Sequence, residues 1–176
     1  MTPLYIFDLD GTLALTEHRQ HLLGGDPCPA CGGTCILPDV GSCPSCNGTG
    51  STGADWGAFF AACVNDAPNW PVIGTMNMLL RSGADVQIWS GRSAEVMNET
   101  RTWIQKYFEI DAEEVQICMR REGDFTPDEA LKKSWLDELS AYDRRRLVAV
   151  FDDRQKVVDM WRAAGVACFQ VAPGNF

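Results

Sequence analysis

Leu4-Tyr5-Ile6-Phe7-Asp8-Leu9-Asp10-Gly11-Thr12 is the stretch on which the fold turns. Four apolar residues run into acids and a glycine, the pattern of a strand buried on both faces whose carboxyl end opens into a turn. Residues two apart on a strand point to the same side, so Asp8 and Asp10 can face one site as the chain enters the Gly11 turn. Two carboxylates there suit a hard cation such as Mg²⁺, which takes oxygen ligands and keeps several waters. The bland alternative is a solvated Asp-Gly turn.

Further apolar runs at 86–89, 115–118, 147–151 and 167–171 read as four more strands. Helical periodicity fills roughly 72–82, 93–107, 127–140 and 154–164. Strands alternating with helices through short joins predict an α/β fold, a Rossmann-like parallel sheet with helices on both faces. Thr126-Pro127-Asp128-Glu129 supplies an N-cap threonine, a proline at the first helical position and a capping-box glutamate, so a helix is expected to start there.

Ligands of open α/β sheets bind outside the carboxyl ends of the strands. Asp152-Asp153 follows the run 147–151 as Asp8 follows 4–7, so two acidic strand ends can converge on one cation. Ser90-Gly91-Arg92 ends another strand ahead of a helix, where a hydroxyl and backbone N–H groups can hold a phosphate oxygen. Asp128 and Lys132 are four apart on one helix face, either an ordinary surface ion pair or part of the site.

The segment 25–53 breaks the alternation, being rich in Gly, Cys, Pro and Ser. The expected division is therefore a core of 1–24 with 54–176, interrupted by a small cap insert at 25–53. Cys28-Pro29-Ala30-Cys31 and Cys43-Pro44-Ser45-Cys46 are two Cys-x-x-Cys knuckles with the spacing of a four-cysteine Zn²⁺ site. Disulfides are the alternative; a structural Zn²⁺ would explain how so polar a segment is ordered. Cys35 is then a fifth, non-ligating thiol. Trp56, Phe59, Phe60 and Cys63 recur at helical spacing and read as core rather than as a base-stacking surface.

With 176 residues and 45% hydrophobic content, one domain with a small insert is expected. A formal charge of -9 argues against a surface basic all round, so any polynucleotide would be held by a local patch or by metal. No run approaches the length of a membrane helix and no charged leader is evident, so a soluble cytoplasmic protein without membrane contact is expected.

Taken in order, Asp8-Leu9-Asp10-Gly11-Thr12, Ser90-Gly91-Arg92, Lys132 and Asp152-Asp153 resemble the four motifs of haloacid dehalogenase phosphatases. The run from Phe151-Asp152-Asp153-Arg154 through Gly165 to Phe176 is similar to the tail of the 3′-phosphatase domain of bacteriophage polynucleotide kinase. So are Arg101 with Trp103, and Arg121-Glu122-Gly123-Asp124 leading to Asp128 and Lys132.

The resemblance implies a phosphatase in a bacterial or phage-infected cell. Asp8 would be the nucleophile and Asp10 the general acid and base. Asp8, Asp10 (through its carbonyl), Asp152 and Asp153 would surround Mg²⁺. Ser90 and Lys132 would hold the phosphoryl oxygens, with Thr12, Gly91, Arg19, Arg92 and Asp128 at the substrate. The implied substrate is a nucleic-acid 3′-phosphate end or a nucleotide, with no obligate protein partner evident. No Gly-x-x-x-x-Gly-Lys-Ser/Thr run is present, so 5′-kinase activity is not expected. A nucleoside 5′-monophosphate phosphatase is the alternative substrate reading. A nucleic-acid- or partner-binding protein with a retired site is the alternative of another class.

Overall fold

The structure is a computed structural model that describes residues 1–24, 28–32, 36–37, 41–45, 53, 55–109 and 115–174. Its elements in chain order are β1 (Leu4–Phe7), β2 (Ala14–Leu15), α1 (His21–Gly24), β3 (Ile36–Leu37), β4 (Gly41–Ser42), α2 (Trp56–Ala61), β5 (Ala67–Pro68) and α3 (Trp70–Arg81). They continue with β6 (Asp85–Ser93), α4 (Met97–Tyr107), β7 (Gln116–Arg120), α5 (Asp128–Glu138), α6 (Ala141–Arg146), β8 (Leu147–Arg154), α7 (Gln155–Ala163) and β9 (Cys168–Gly174). Among the described residues, no helix is long and apolar enough to cross a membrane.

The chain divides into two compact units, the first being Met1–Thr16 with Val64–Phe176. Its five-stranded sheet has the order β7-β6-β1-β8-β9, and every pairing within it is parallel. The order reverses between β1 and β8, so the loops leaving these strands diverge and open a crevice at their carboxyl ends. Asp8 ends one of these strands and Asp152 lies near the end of the other.

Both faces of the sheet are covered, as the uninterrupted apolar strands require. On one side Phe7, Ile88, Ile73, Met76, Trp103 and Ile104 form a core. On the other, Leu4, Ile6 and Val150 pack with Trp89, Val157 and Trp161. Each such side chain contributes roughly 1.5–3 kcal/mol on burial, which anchors the strand ends rigidly.

The helix expected near Thr126 forms, but its cap differs. The N-cap is Pro127, with no side-chain cap bond, and the helix begins at Asp128. Because the helix starts one residue later than expected, Thr126 stands before the N-cap position; its N–H donates to Asp124 and its carbonyl accepts from Arg120 at 2.5 Å.

The second unit is Glu17–Cys63, which extends on both sides of the 25–53 segment. Within it Asp55 caps α2 by accepting from the Ala58 N–H at 2.8 Å. Phe59 and Cys63 are buried, whereas Trp56 is 48% exposed, so the aromatic cluster is core on one side only. The antiparallel pair β3–β4 joins the two halves of the cysteine cluster.

Candidate active site

The Gly11 turn sets the floor of the site. Gly11 has φ +87°, and a Cβ there would fall 2.2 Å from the Asp153 carboxylate, so both backbone conformation and space call for glycine. The Gly11 N–H donates to the Ala14 carbonyl at 2.8 Å, and Asn69 donates to the Thr12 carbonyl at 2.8 Å. Thr12 is itself fully buried, and its hydroxyl donates at 3.4 Å to Asp153, so its side chain serves the acidic cluster.

Asp8, Asp152 and Asp153 are all buried, and each offers an oxygen within 4.8 Å of the others. Lys132 reaches in from α5, its Nζ donating to Asp8 at 2.5 Å and Asp152 at 2.8 Å. The surface-pair reading of Lys132 therefore fails. The exposed i,i+4 pair on this helix is Lys133 with Asp137.

Burial pushes the Asp8 carboxyl well above the usual carboxylate range; Lys132 opposes that shift, while Asp152 and Asp153 add to it. Burial likewise pushes Asp153 up to about 6, with Asp152 adding to the rise. Burial works against the Lys132 ammonium, yet Asp152 and Asp8 outweigh it and raise its pKa. Three buried carboxylates thus lie together with one ammonium, which pairs with Asp8 and Asp152, an all-oxygen donor set short of positive charge. These residues fit a hard divalent cation such as Mg²⁺.

Asp10 lies apart from this cluster. Its carboxylate is engaged by Arg92, through Nη2 and, at 3.3 Å, through Nε. The Arg92 guanidinium is buried and also donates to Asp66 at 2.9 Å and to the Thr100 hydroxyl at 3.1 Å. Arg92 consequently holds Asp10 in place, while the Asp10 side chain stays 25% exposed. As a metal ligand, Asp10 would have its backbone carbonyl to offer, since its side chain is turned to the arginine.

Ser90 is fully buried on β6, just before the strand's register shifts, and its Oγ accepts from the Arg92 N–H at 3.1 Å. That bond leaves the hydroxyl proton to be donated elsewhere. A Cβ on Gly91 would meet an Asp128 oxygen at 2.4 Å, so glycine lets Asp128 pack directly on the turn. Asp128 accepts from Arg120 and, at 2.7 Å, from Arg154. Arg120 also donates to the Gly91 carbonyl at 2.7 Å. Asp128 therefore ties together the ends of β6, β7 and β8.

Arg19 belongs to the second unit, where it is buried, donates to the Phe59 carbonyl at 3.1 Å and lies 4.1 Å over the Phe59 ring. Also in that unit, the sulfurs of Cys28, Cys31 and Cys43 converge within 4.8 Å. Cys46 and Cys35 lie outside the described residues.

Three contributors were not singled out from sequence: Asp66, Arg120 and Arg154. Asp66 carries no local pattern; its carbonyl accepts from Trp103 at 2.8 Å, a contact made only by packing. Arg120 stands at a strand's carboxyl end, and that position alone could have flagged it.

This disposition of groups around a switch point defines a class: the chain is a phosphatase of the haloacid dehalogenase type. Residues 54–176 match the family described as the polynucleotide kinase PNKP phosphatase domain, and the chain belongs to that family. A chain in the Pnkp1/Rnl/Hen1 RNA repair complex is 28% identical with a TM-score of 0.68, over 99% of this chain and 44% of its own length. A protein of Autographa californica nuclear polyhedrosis virus, whose name assigns it polynucleotide kinase and RNA ligase activities, is 40% identical over 81 residues. That match takes in 45% of this chain and 11% of the viral protein. This chain thus spans well under two thirds of either relative. The class C acid phosphatase from Bacillus anthracis, 13% identical with a TM-score of 0.60 over 99% of this chain and 67% of its own, shares the fold.

Proposed function

We propose that the protein removes 3′-phosphates from nucleic-acid ends or nucleotides in two steps through Asp8, with Mg²⁺ as cofactor. The observation that carries this reading is the buried trio Asp8, Asp152 and Asp153, the first two of which are paired to the ammonium of Lys132. Family membership supports the nucleic-acid substrate.

In the first step an Asp8 oxygen bonds to phosphorus as the ester P–O bond breaks, and Asp10 gives a proton to the departing alcohol oxygen. In the second, Asp10 takes a proton from water, whose oxygen attacks phosphorus and releases phosphate and the Asp8 carboxylate. Ser90 and Lys132 donate hydrogen bonds to the transferring phosphoryl oxygens, and Arg92 keeps Asp10 within reach of the leaving group. Asp8, Asp152, Asp153 and the Asp10 carbonyl would hold Mg²⁺, which when bound would supply charge neutralisation at the phosphoryl group.

Phosphate release from 3′-phosphorylated oligonucleotides, compared with 5′-mononucleotides, tests the substrate. Failure on both sinks the nucleotide reading, and unchanged release by Asp8→Asn sinks the nucleophile assignment.

A structural Zn²⁺ in the second unit belongs to the same proposal. The Cys28 and Cys43 sulfurs are 3.9 Å apart, close to the edge of a tetrahedron with Zn–S bonds of about 2.3 Å and far beyond a disulfide. The Cys31 and Gly32 N–H groups both donate to the Cys28 carbonyl, at 3.2 and 2.7 Å, forming a tight knuckle. The sequence offers Cys46 as fourth ligand. Elemental analysis should find one zinc per chain, lost in Cys28→Ser; a zinc-free native protein with oxidised cysteines would refute the assignment.

A further inference from the structure

The loop from β7 to α5 presents an aromatic ring that the chemistry above does not use. Phe125 is 85% exposed. Other exposed aromatics rest on a neighbouring ring or guanidinium: Trp70 on Tyr107, Trp56 on Phe59 and Phe60, Phe169 on Phe151, and Tyr142 under Arg146. Among the described residues Phe125 has no such neighbour. A lone exposed apolar side chain is ordinary and by itself means little.

What distinguishes Phe125 is how its backbone is held. Arg120 donates to the carbonyls on both sides of it, Asp124 at 3.4 Å and Thr126 at 2.5 Å. The same guanidinium bonds the Gly91 carbonyl and the Asp128 carboxylate. The Thr126 N–H donates to the Asp124 side chain at 2.8 Å, and the Asp124 N–H to the Arg121 carbonyl at 3.1 Å, closing the loop on itself. An ordered loop at the carboxyl edge of the sheet thus carries an unsupported ring, tied through one arginine to the turn that holds Ser90.

We infer that Phe125 is a substrate-positioning residue that stacks on the base of the nucleoside bearing the phosphate, an inference that rests on the nucleotide reading above. Every base has a π-face, and an aromatic side chain at the mouth grips it whatever its sequence. The loop carries Glu122 and Asp124 as well as Arg120 and Arg121, so it is no basic patch. Its distinctive offering to a nucleotide is the ring. Because the loop is ordered by Arg120 and not by burial of Phe125, the ring can be removed without disturbing the fold.

The test compares Phe125→Ala and Phe125→Trp with the wild-type full chain on two substrates: a 3′-phosphorylated oligonucleotide, and the same oligonucleotide with its terminal nucleoside abasic. Phe125→Ala should raise KM about 5- to 150-fold on the base-bearing substrate, with kcat unchanged, have no effect on the abasic one, and be rescued by Trp. An equal loss on both substrates would assign the ring to supporting the Arg120–Asp128 contact and overturn the inference, as would no change on either. If wild type acts only on 5′-mononucleotides, the 3′ assignment fails separately; the same comparison, made with a mononucleotide and ribose 5-phosphate, then decides the stacking. Release from none of these substrates removes both readings.

Discussion

Replacing Lys132 with methionine removes one positive charge and keeps most of an apolar stem. In the native protein that charge lies 2.5 Å from Asp8 and 2.8 Å from Asp152. At an effective dielectric of about 20 each contact represents on the order of 6 kcal/mol of gross attraction, most of it offset by dehydration of the three ions. Removing the ammonium leaves the carboxylates buried without compensation, which costs about 3–5 kcal/mol. For a chain of this size that corresponds to a fall in Tm of roughly 6–20 °C, read by thermal melting in EDTA. Mg²⁺ at about 100 times its Kd should return roughly 2.7 kcal/mol, because only the folded protein assembles the three carboxylates. Adding Asp8→Asn to Lys132→Met deletes one of the stranded charges, so the double variant should be more stable than the sum of the single effects by about 1 kcal/mol or more. Phosphate release should fall about 10²–10³-fold in Lys132→Met. A variant melting within about 0.5 kcal/mol of wild type in EDTA, or strict additivity in the double variant, would refute the shared-ammonium argument.

Asp66→Asn leaves the Arg92 guanidinium with one fewer charged partner, so Asp10 loses part of its support; a drop in kcat of about 10- to 100-fold with little change in KM is expected from steady-state kinetics. Gly91→Ala would drive a methyl into the Asp128 carboxylate, costing about 1–3 kcal/mol of stability and most of the phosphate release, and a fully active variant would show that the turn tolerates displacement. Burial, helped by the charge of Asp152, pushes the Cys168 thiol up to about 12. Since the thiolate is the reactive form, Cys168 should resist iodoacetamide at pH 8 in the native protein and react on unfolding, as mass spectrometry of the modified peptides would show.

The sheet was readable from one-dimensional pattern because parallel strands are buried on both faces and must be apolar throughout, while their carboxyl ends are free to carry acids. Leu4–Phe7 before Asp8, and Leu147–Phe151 before Asp152, follow that rule directly. The antiparallel pair β2–β5 and the short helix α6 escaped, being too brief to show a period. The cysteine knuckles were legible because metal ligands obey fixed spacing, and three of the four converge in the structure.

Residue identity by itself determined that Asp8, Asp152, Asp153 and Lys132 are of the kinds this chemistry needs, and their order along the chain pointed to the family. Only the tertiary structure decided the electrostatic partners. It turned Asp10 to Arg92 and Arg92 to Asp66, joined Asp128 to Arg120 and Arg154, and made Lys132 a buried counterion instead of a surface one. A charge's partner is set by which strand ends the sheet order brings side by side and by how far water is excluded there. Neither quantity is written in local sequence, because both depend on residues from distant parts of the chain meeting at one crevice.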